Sequence, residues 1–324
     1  MSVLVTGGAG YIGGHMVLGL LDSGEKVVVL DDLSNGFAHA VPPHATLVVG
    51  DVGDCDLVLR LMQAHQVNAV FHFAAKIVVP DSITDPLGYY LNNTSKARNL
   101  IASAVKYGVR HVIFSSTAAV YGETSGQPVD ETVMPSPGTP YGRSKLAVEW
   151  MLADTAHAHK MSYVTLRYFN VAGADPGGRL GQSGVNVHLI RRAIQTALGQ
   201  YATLDVFGQD YPTPDGTCIR DYIHVRDLVD AHLAALAYLR EGGVNMVCNA
   251  GNGRGYSVRE VIEAVKRVGG VDFKINIADR RPGDSAVVIA NAELIKQKLN
   301  WQPYLHDLDL IVRHSMDWER GLMK

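Results

Sequence analysis

The sequence has few cysteines and no charge excess of either sign. Its three cysteines, Cys55, Cys218 and Cys248, lie far apart and form no Cys-x-x-Cys pair. Such a sparse, odd set argues against a disulfide framework and a structural zinc site, and it indicates a reducing compartment. We expect the three thiols to be packed as small apolar groups. The net charge of −3 predicts no basic surface and no nucleic acid partner.

Long apolar segments are also absent. No run reaches the roughly 18 residues that a membrane helix needs, and residues 3–5 already have the pattern of a strand, so no signal peptide is expected before them. Hydrophobic residues make up 47% of the chain and charged residues 19%, which is typical of a globular protein. We therefore expect a cytoplasmic protein without a membrane partner or a bound metal.

In the first half of the chain, short apolar segments alternate with segments that have helical periodicity. Helices are predicted at Tyr11–Asp22, Leu57–His65, Pro86–Gly108 and Tyr141–His159. This alternation predicts an α/β protein with a parallel sheet covered on both faces, a doubly wound Rossmann sheet. A seventh strand at Asn245–Asn249 is less clear. The six clearer strands are predicted at Val3–Val5, Lys26–Leu30, Thr46–Val49, Ala69–Phe73, His111–Ser115 and Tyr163–Arg167.

The pattern changes after Tyr168. Residues 174–186 are rich in glycine and proline, and residues 205–222 mix aromatic, proline and aspartate residues without a clear period. We predict a nucleotide-binding domain over residues 1–170, to which segments at about 223–250 return. Residues 171–222 and 251–324 would form a smaller α/β lobe that binds the substrate.

A glycine-rich segment follows the first predicted strand and precedes a helix. It runs from Thr6 to Gly13 and includes Gly7, Gly10 and Gly13. A pyrophosphate needs close backbone approach and N–H groups at a helix start, and side chains would block both. The alternative is a tight turn without a ligand.

Acidic residues end the second and third strands. A carboxylate at Asp31 or Asp32 would accept hydrogen bonds from the ribose hydroxyls of NAD and repel the extra phosphate of NADP. Alternatively, either residue is a solvated acid in a loop, and this interpretation is stronger for Asp32 than for Asp31. Asp51 and Val52 follow the third strand, where an adenine edge would lie.

A candidate catalytic set lies near the fifth strand and the helix that follows. Tyr141 and Lys145 have i, i+4 spacing and share one helical face. A lysine ammonium and a positive nicotinamide ring would favour the phenolate and make Tyr141 a general base. Thr117 is expected at the carboxyl edge of the sheet, where its hydroxyl can bridge a substrate hydroxyl and Tyr141. The Tyr-x-x-x-Lys spacing alone is common by chance.

These residues resemble the extended short-chain dehydrogenase/reductase family, which includes NAD-dependent epimerases and dehydratases. The resemblance runs nearly end to end, and its most specific part is Phe207–His224. Other similar segments are Leu4–Gly13, Phe114–Thr117, Val120–Gly122 and Leu166–Asn170.

The resemblance implies roles for three sets of residues. Thr117, Tyr141 and Lys145 match catalytic positions. Positions that hold NAD, besides the glycines, Tyr141 and Lys145, are matched by Tyr11, Ile12, Asp31, Asp32, Asn35, Asp51, Val52, Phe73, Ala74, Ala75, Asn92 and Phe169. Positions that hold a UDP-sugar are matched by Thr117, Tyr141, Asn170, His188, Leu189, Asp205, Val206, Phe207, Arg220, Arg281, Asp284 and Val288.

Two positions depart from the family pattern. Many members have a cofactor-contacting lysine where this chain has Ile77, and Lys76 lies one residue earlier, so we assign Lys76 no such role. Some members have a tyrosine near the sugar where this chain has Val288. The smaller side chain leaves room beside the sugar, and we hypothesise that UDP-N-acetylhexosamines (UDP-GlcNAc and UDP-GalNAc) are also substrates.

The implied activity is reversible inversion at C4 of a UDP-hexose, UDP-glucose or UDP-galactose, through a 4-keto sugar with NAD as the hydride carrier. Dehydratases and decarboxylases of this type carry an acid after the active threonine, whereas this chain has Ala118 and Ala119. Epimerases of UDP-pentoses or UDP-uronates, and a catalytically silent NAD-binding protein, stay open. The resemblance also implies a homodimer through Pro86–Gly108 and Tyr141–His159.

Overall fold

The strands and helices follow the apolar periodicity of the chain. The structure is a computed structural model that describes residues 1–184, 188–281 and 283–323. Its strands are β1 (Ser2–Thr6), β2 (Val27–Asp31), β3 (Thr46–Val49), β4 (Val67–His72), β5 (His111–Thr117), β6 (Ser162–Tyr168), β7 (Asn170–Ala172), β8 (Thr203–Phe207), β9 (Ile219–His224), β10 (Met246–Ala250), β11 (Gly255–Ser257), β12 (Lys274–Ala278) and β13 (Val287–Val288). Its α-helices are α1 (Tyr11–Asp22), α2 (Cys55–His65), α3 (Val79–Thr84), α4 (Pro86–Tyr89), α5 (Lys96–Tyr107), α6 (Pro140–Ala158), α7 (Leu189–Ala197), α8 (Val225–Arg240), α9 (Val258–Gly269), α10 (Glu293–Leu299) and α11 (Leu308–Leu322).

Seven strands form one parallel sheet in the order β3-β2-β1-β4-β5-β6-β10. The doubly wound parallel sheet that the sequence predicts is therefore confirmed, and the uncertain seventh strand is β10, beside β6. The strand order reverses between β1 and β4. In open sheets of this kind, ligands bind outside the carboxyl ends of the strands at such a point.

Helices cover both faces of this sheet because successive strand residues point to opposite sides. Val3 and Val5 of β1 face a core that α1 and α8 share, whereas Leu4 faces a core with α2, α5 and α6. The start of α6 is fixed by Thr139, whose hydroxyl accepts a hydrogen bond from the Gly142 amide at 3.2 Å. This cap places the candidate base, Tyr141, in the first turn of α6.

The long helix predicted at Pro86–Gly108 has an irregular centre. It runs as α4, a π-helical turn at Tyr90–Ser95, and α5, and it ends at Gly108 with a φ of +88°. Asn93 in the π turn donates to the Lys76 carbonyl and to the Ser144 hydroxyl. Asparagine has only a modest helix propensity, and these two long-range hydrogen bonds hold the Asn93 side chain toward the protein interior. We attribute the widened π-helical turn to these contacts.

The later elements form a second group. The parallel pair β8 and β12 packs with α7, α9 and α11 around a separate core. Strand β9 pairs with β7, β11 and β13, outside the seven-stranded sheet. Helix α8, which follows β9, packs back against β5 and β6.

Three further observations concern the described residues as a whole. None of their helices is both long and apolar enough to cross a membrane. Nor do their His, Cys, Asp and Glu side chains gather in a group of three or more that could hold a metal. Cys218 and Cys248 are buried as expected, but the expectation for Cys55 is wrong, because this thiol lies exposed at the first residue of α2.

Candidate active site

The glycine turn after β1 has two kinds of glycine. Gly7 has a φ of +73°, and an added Cβ would lie 2.6 Å from the Ala74 amide nitrogen; at Gly13 a Cβ would collide with the Gly7 carbonyl. The turn itself therefore requires these two glycines. Gly10 has a φ of −85°, and the nearest atom to an added Cβ is 3.4 Å away. Because the fold does not require glycine there, the open space over Gly10 fits a closely approaching phosphate at the start of α1.

The acidic residues at the strand ends have protein partners of their own. The carboxylate of Asp31 accepts hydrogen bonds from the amides of Ala9 and Leu33, both at 2.9 Å, and so ties the glycine turn to β2. Asp32 is exposed and accepts from the Ser34 amide and hydroxyl. A carboxylate has about four lone-pair positions, so Asp31 keeps capacity for ribose hydroxyls.

Other residues assigned to NAD lie in loops that follow the strands and in the first turn of α1. Asp51 accepts from the Gly53 amide and pairs with Lys96 at 2.6 Å, and Val52 beside it is buried. Phe73 follows β4, and its amide donates to the Thr6 carbonyl at 3.0 Å. Tyr11 donates its hydroxyl hydrogen to the Gly173 carbonyl at 2.6 Å. The assigned residues Ile12, Asn35, Ala74 and Ala75 lie in the same loops and the first turn of α1.

Asn92 and Lys76 lie beside a contact that the sequence did not suggest. Asn92 donates to the side chain of Asn93, and Asn93 accepts from the Lys76 amide at 2.8 Å. The Lys76 ammonium lies 3.3 Å from the Asp85 carboxylate. Asn93 therefore joins the loop after β4 to α6 one residue before Lys145, through Ser144. Two adjacent asparagines within a predicted helix were the available signal.

The candidate base, Tyr141, interacts with the Thr117 hydroxyl. Thr117 ends β5 and Tyr141 lies in the first turn of α6, and both are buried. Burial raises the pKa of the Tyr141 phenol to about 12, although the Thr117 hydroxyl acts to lower it. The protein alone thus disfavours the phenolate at neutral pH, and ionisation requires a nearby positive charge.

Lys145 has the opposite tendency. Its ammonium nitrogen lies 4.8 Å from the centre of the Phe114 ring, and no hydrogen bond to it is found among the described residues. Burial lowers the pKa of Lys145 to about 7, and the Glu149 carboxylate opposes this effect. A buried ammonium with unused donors fits a ligand with hydroxyl groups, such as a ribose.

Two contacts join the residues assigned to the UDP-sugar. The guanidinium of Arg281 lies 3.7 Å from the centre of the Phe207 ring, at the ends of β12 and β8. Arg220 of β9 pairs with Asp284 at 3.4 Å. The structure therefore gathers cations, an aromatic ring and a carboxylate, a set suited to a nucleoside diphosphate.

Val288 connects this region to the catalytic end. It pairs with Arg220 in the β13–β9 register, and it packs against Ala118, Phe169 and Ala290. Ala118 directly follows Thr117. A sugar held between Arg220 and Thr117 would therefore lie beside the Val288 side chain.

The remaining assigned residues are less closely gathered. His188 occupies the N-cap position of α7 and lines one narrow crevice with Val171 and Ala172 of β7, which directly follow Asn170. Leu189 and Val206 pack into the second core, and Asp205 accepts from Asn276 at 2.9 Å. The residues of β8 could therefore offer a ligand their backbone more readily than their side chains.

The sheet order, the glycine turn and the Tyr141–Lys145 pair define a dinucleotide-binding protein of the oxidoreductase-like type. A sequence model of the NAD dependent epimerase/dehydratase family matches residues 3–251. The chain belongs to this family, which confirms the resemblance seen in the sequence.

The similarity to known proteins extends over nearly the whole chain. The UDP-glucose 4-epimerase of Azospirillum brasilense is 51% identical over 321 residues, which are 99% of this chain and 92% of that protein. The crystal structure of UDP-glucose 4-epimerase from Brucella ovis in complex with NAD has a TM-score of 0.94 and 42% identity, and covers 98% of this chain and 97% of that one. The UDP-Glc/GlcNAc 4-epimerase from Campylobacter jejuni has a TM-score of 0.86 and 45% identity, with 99% of each chain covered.

Proposed function

We propose that this protein is an NAD-dependent isomerase that inverts the C4 hydroxyl of UDP-glucose and UDP-galactose. One observation carries the proposal: the interacting Thr117 and Tyr141 side chains and the Lys145 ammonium, to which no described residue is hydrogen-bonded, lie at the carboxyl edge of the same sheet as the glycine turn. Family membership and the high identity to named UDP-glucose 4-epimerases support it.

Different residues bind the cofactor, transfer the proton and hold the diphosphate. The glycine turn and Asp31 would hold NAD, which supplies a hydride acceptor and donor when bound. Tyr141 takes the proton from the C4 hydroxyl and later returns it, and Thr117 orients that hydroxyl. Lys145 stabilises the phenolate form of Tyr141 and binds ribose hydroxyls. Arg220 and Arg281 hold the diphosphate, so that the keto sugar can turn about this end and present its other face.

The residues after Thr117 favour epimerisation over dehydration. Ala118–Val120 form a short 3-10 turn against the site, and Ala118 is buried there. A dehydratase needs an acid or base beside C5 and C6 of the sugar. A methyl group at this position cannot transfer a proton, so the chemistry is expected to remain at C4.

We also propose that N-acetylated UDP-hexoses are turned over. Val288 is half-buried beside Phe169 and Ala118, and a tyrosine at this position would extend into the space beside the sugar. The structural similarity to a UDP-Glc/GlcNAc 4-epimerase supports this wider specificity.

A homodimer in the cytoplasm is the state that we propose. Leu87, Leu91 and Trp150 are 79%, 61% and 62% exposed, and they lie on α4, the π turn and α6, which pack against one another. Such neighbouring exposed apolar side chains are typical of a protein interface.

We also propose the division into two parts that the sequence predicts. Residues 1–170 and about 223–250 bind NAD, and residues 171–222 and 251–324 bind the UDP-sugar. Three free thiols support a reducing compartment.

The test is incubation with a panel of UDP-sugars, including pentoses and uronates, followed by chromatographic separation of the epimers. We expect conversion between UDP-glucose and UDP-galactose, and loss of at least about 10³-fold of this activity in Tyr141→Phe, which removes the group that transfers the proton. The variant should keep its thermal stability and its bound NAD. Turnover of only pentoses or uronates, or bound NAD with no turnover at all, would contradict the proposal.

A further inference from the structure

A buried ion pair lies next to Lys145. Glu149 follows Lys145 by one helical turn on α6, so the two side chains share a face. The Glu149 carboxylate accepts from Arg167 of β6, at 3.0 Å from Nε and 2.6 Å from Nη2, and also from the Ser116 hydroxyl. The side chains of Glu149 and Arg167 are only 4% and 6% exposed.

This pair connects the elements that carry the active site. Ser116 precedes Thr117 on β5, and Arg167 lies two residues before Phe169. The Arg167 guanidinium also lies 4.9 Å from the centre of the Tyr121 ring. Buried ion pairs are on average no more stabilising than apolar side chains of equal volume. Stability alone therefore does not account for a buried carboxylate at this place.

Two other titratable groups beside Lys145, His72 and Tyr141, carry no negative charge. His72 of β4 stacks on the Phe114 ring of β5, and burial, together with Lys145, lowers the pKa of His72 to about 3, so it stays neutral. Tyr141, one turn earlier on α6, is a neutral phenol. Among the residues that the structure describes, Glu149 is thus the anion that acts on Lys145.

We propose that Glu149 is a positioning residue whose carboxylate, held by Arg167 and Ser116, keeps Lys145 in the ammonium form that assists Tyr141. The effect of Glu149 on catalysis rests on the proposed epimerase function. The effect of Glu149 on the charge of Lys145 is independent of that function. The two parts can therefore be measured separately.

The first measurement needs no substrate. NMR of protein labelled with ¹³C at the lysine ε-carbon follows the titration of Lys145, with its signal assigned through Lys145→Met. In Glu149→Gln we expect the midpoint of Lys145 to fall by about one pH unit or more, because an opposite charge has been removed. Glu149→Gln leaves the buried Arg167 charge without a counter-ion, so the double variant Glu149→Gln, Arg167→Met provides a charge-balanced protein in which the midpoint should also fall.

The second measurement is the pH profile of kcat/KM for epimerisation. We expect Glu149→Gln to lose activity on the alkaline side at lower pH than the wild type, because Lys145 loses its proton earlier. Glu319→Gln is the matched control: it breaks the equally buried Arg191–Glu319 pair in the second core region, where it can lower thermal stability without moving the titration. An unchanged Lys145 midpoint in both Glu149 variants overturns the inference. A lowered midpoint in a protein that epimerises no UDP-sugar would support it while refuting the proposed function.

Discussion

Replacing Gly10 by alanine tests whether this glycine is required for folding or for cofactor binding. Within the part of the chain that the structure describes, the added methyl group meets only the Gly7 carbonyl, at 3.4 Å, and the backbone has an ordinary φ of −85°. Alanine is a poorer N-cap than glycine, but it reduces the entropy of the unfolded chain, and the two effects together change stability by less than about 1 kcal/mol. We therefore expect Gly10→Ala to fold normally.

The same methyl group lies where a pyrophosphate would approach the start of α1. Losing one hydrogen bond to a charged phosphate costs about 1.5–3 kcal/mol, which weakens NAD binding by about 10- to 150-fold. The NAD released on denaturation of purified protein, and the rise in melting temperature on NAD titration, measure this effect. A tenfold weaker affinity removes about 1.4 kcal/mol of ligand stabilisation at saturating NAD.

Gly13→Ala is the informative comparison. There the methyl group collides with the Gly7 carbonyl, so the variant should melt at lower temperature even without NAD. Wild-type affinity for NAD in Gly10→Ala would refute the placement of the pyrophosphate over Gly10. Equal thermal destabilisation of both variants would show that Gly10 is needed by the turn itself.

Two further predictions concern specificity and assembly. Val288→Tyr should reduce turnover of UDP-GalNAc at least about tenfold relative to UDP-galactose, because the larger ring fills space beside the sugar; an unchanged ratio in chromatographic assays would contradict this. Leu91→Glu should dissociate the proposed dimer in analytical ultracentrifugation, because it places charge in an apolar interface. Met134→Glu, at an 82% exposed site outside the helices, should leave the dimer intact; if both variants sediment like the wild type, the interface lies elsewhere.

The sequence predicted the main sheet well because its signals are local. Each strand from β1 to β6 is a short apolar segment next to a helical pattern, and the parallel order follows from the alternation. The small sheet around β9 was not predicted, because its strands β7, β11 and β13 are two or three residues long and depend on pairing with β9. Such strands exist through tertiary contacts rather than through their own periodicity.

The candidate site was predicted in the same uneven way. Gly10, Thr117 and Tyr141 carry motifs, so their place at the sheet edge could be inferred from spacing and element order. The role of Asp31 in holding the Ala9 amide, and the contact of Asn93 with Ser144, could not be inferred, because each joins segments that are distant in the chain. Glu149 is visible four residues after Lys145, but its partner Arg167 emerges only when β6 is placed against α6.

The charges at the site depend on one another. Burial favours the neutral form of both Tyr141 and Lys145, with pKa values of about 12 and about 7. A phenolate at neutral pH is therefore favoured only when a positive charge is maintained beside it, and burial works against that charge on Lys145 as well. Glu149 is the anion that offsets this burial, and Arg167 holds its carboxylate in place through two donors. In the proposed mechanism, the Glu149–Arg167 pair therefore acts on the Tyr141 phenol indirectly, through Lys145, from two helical turns away on α6.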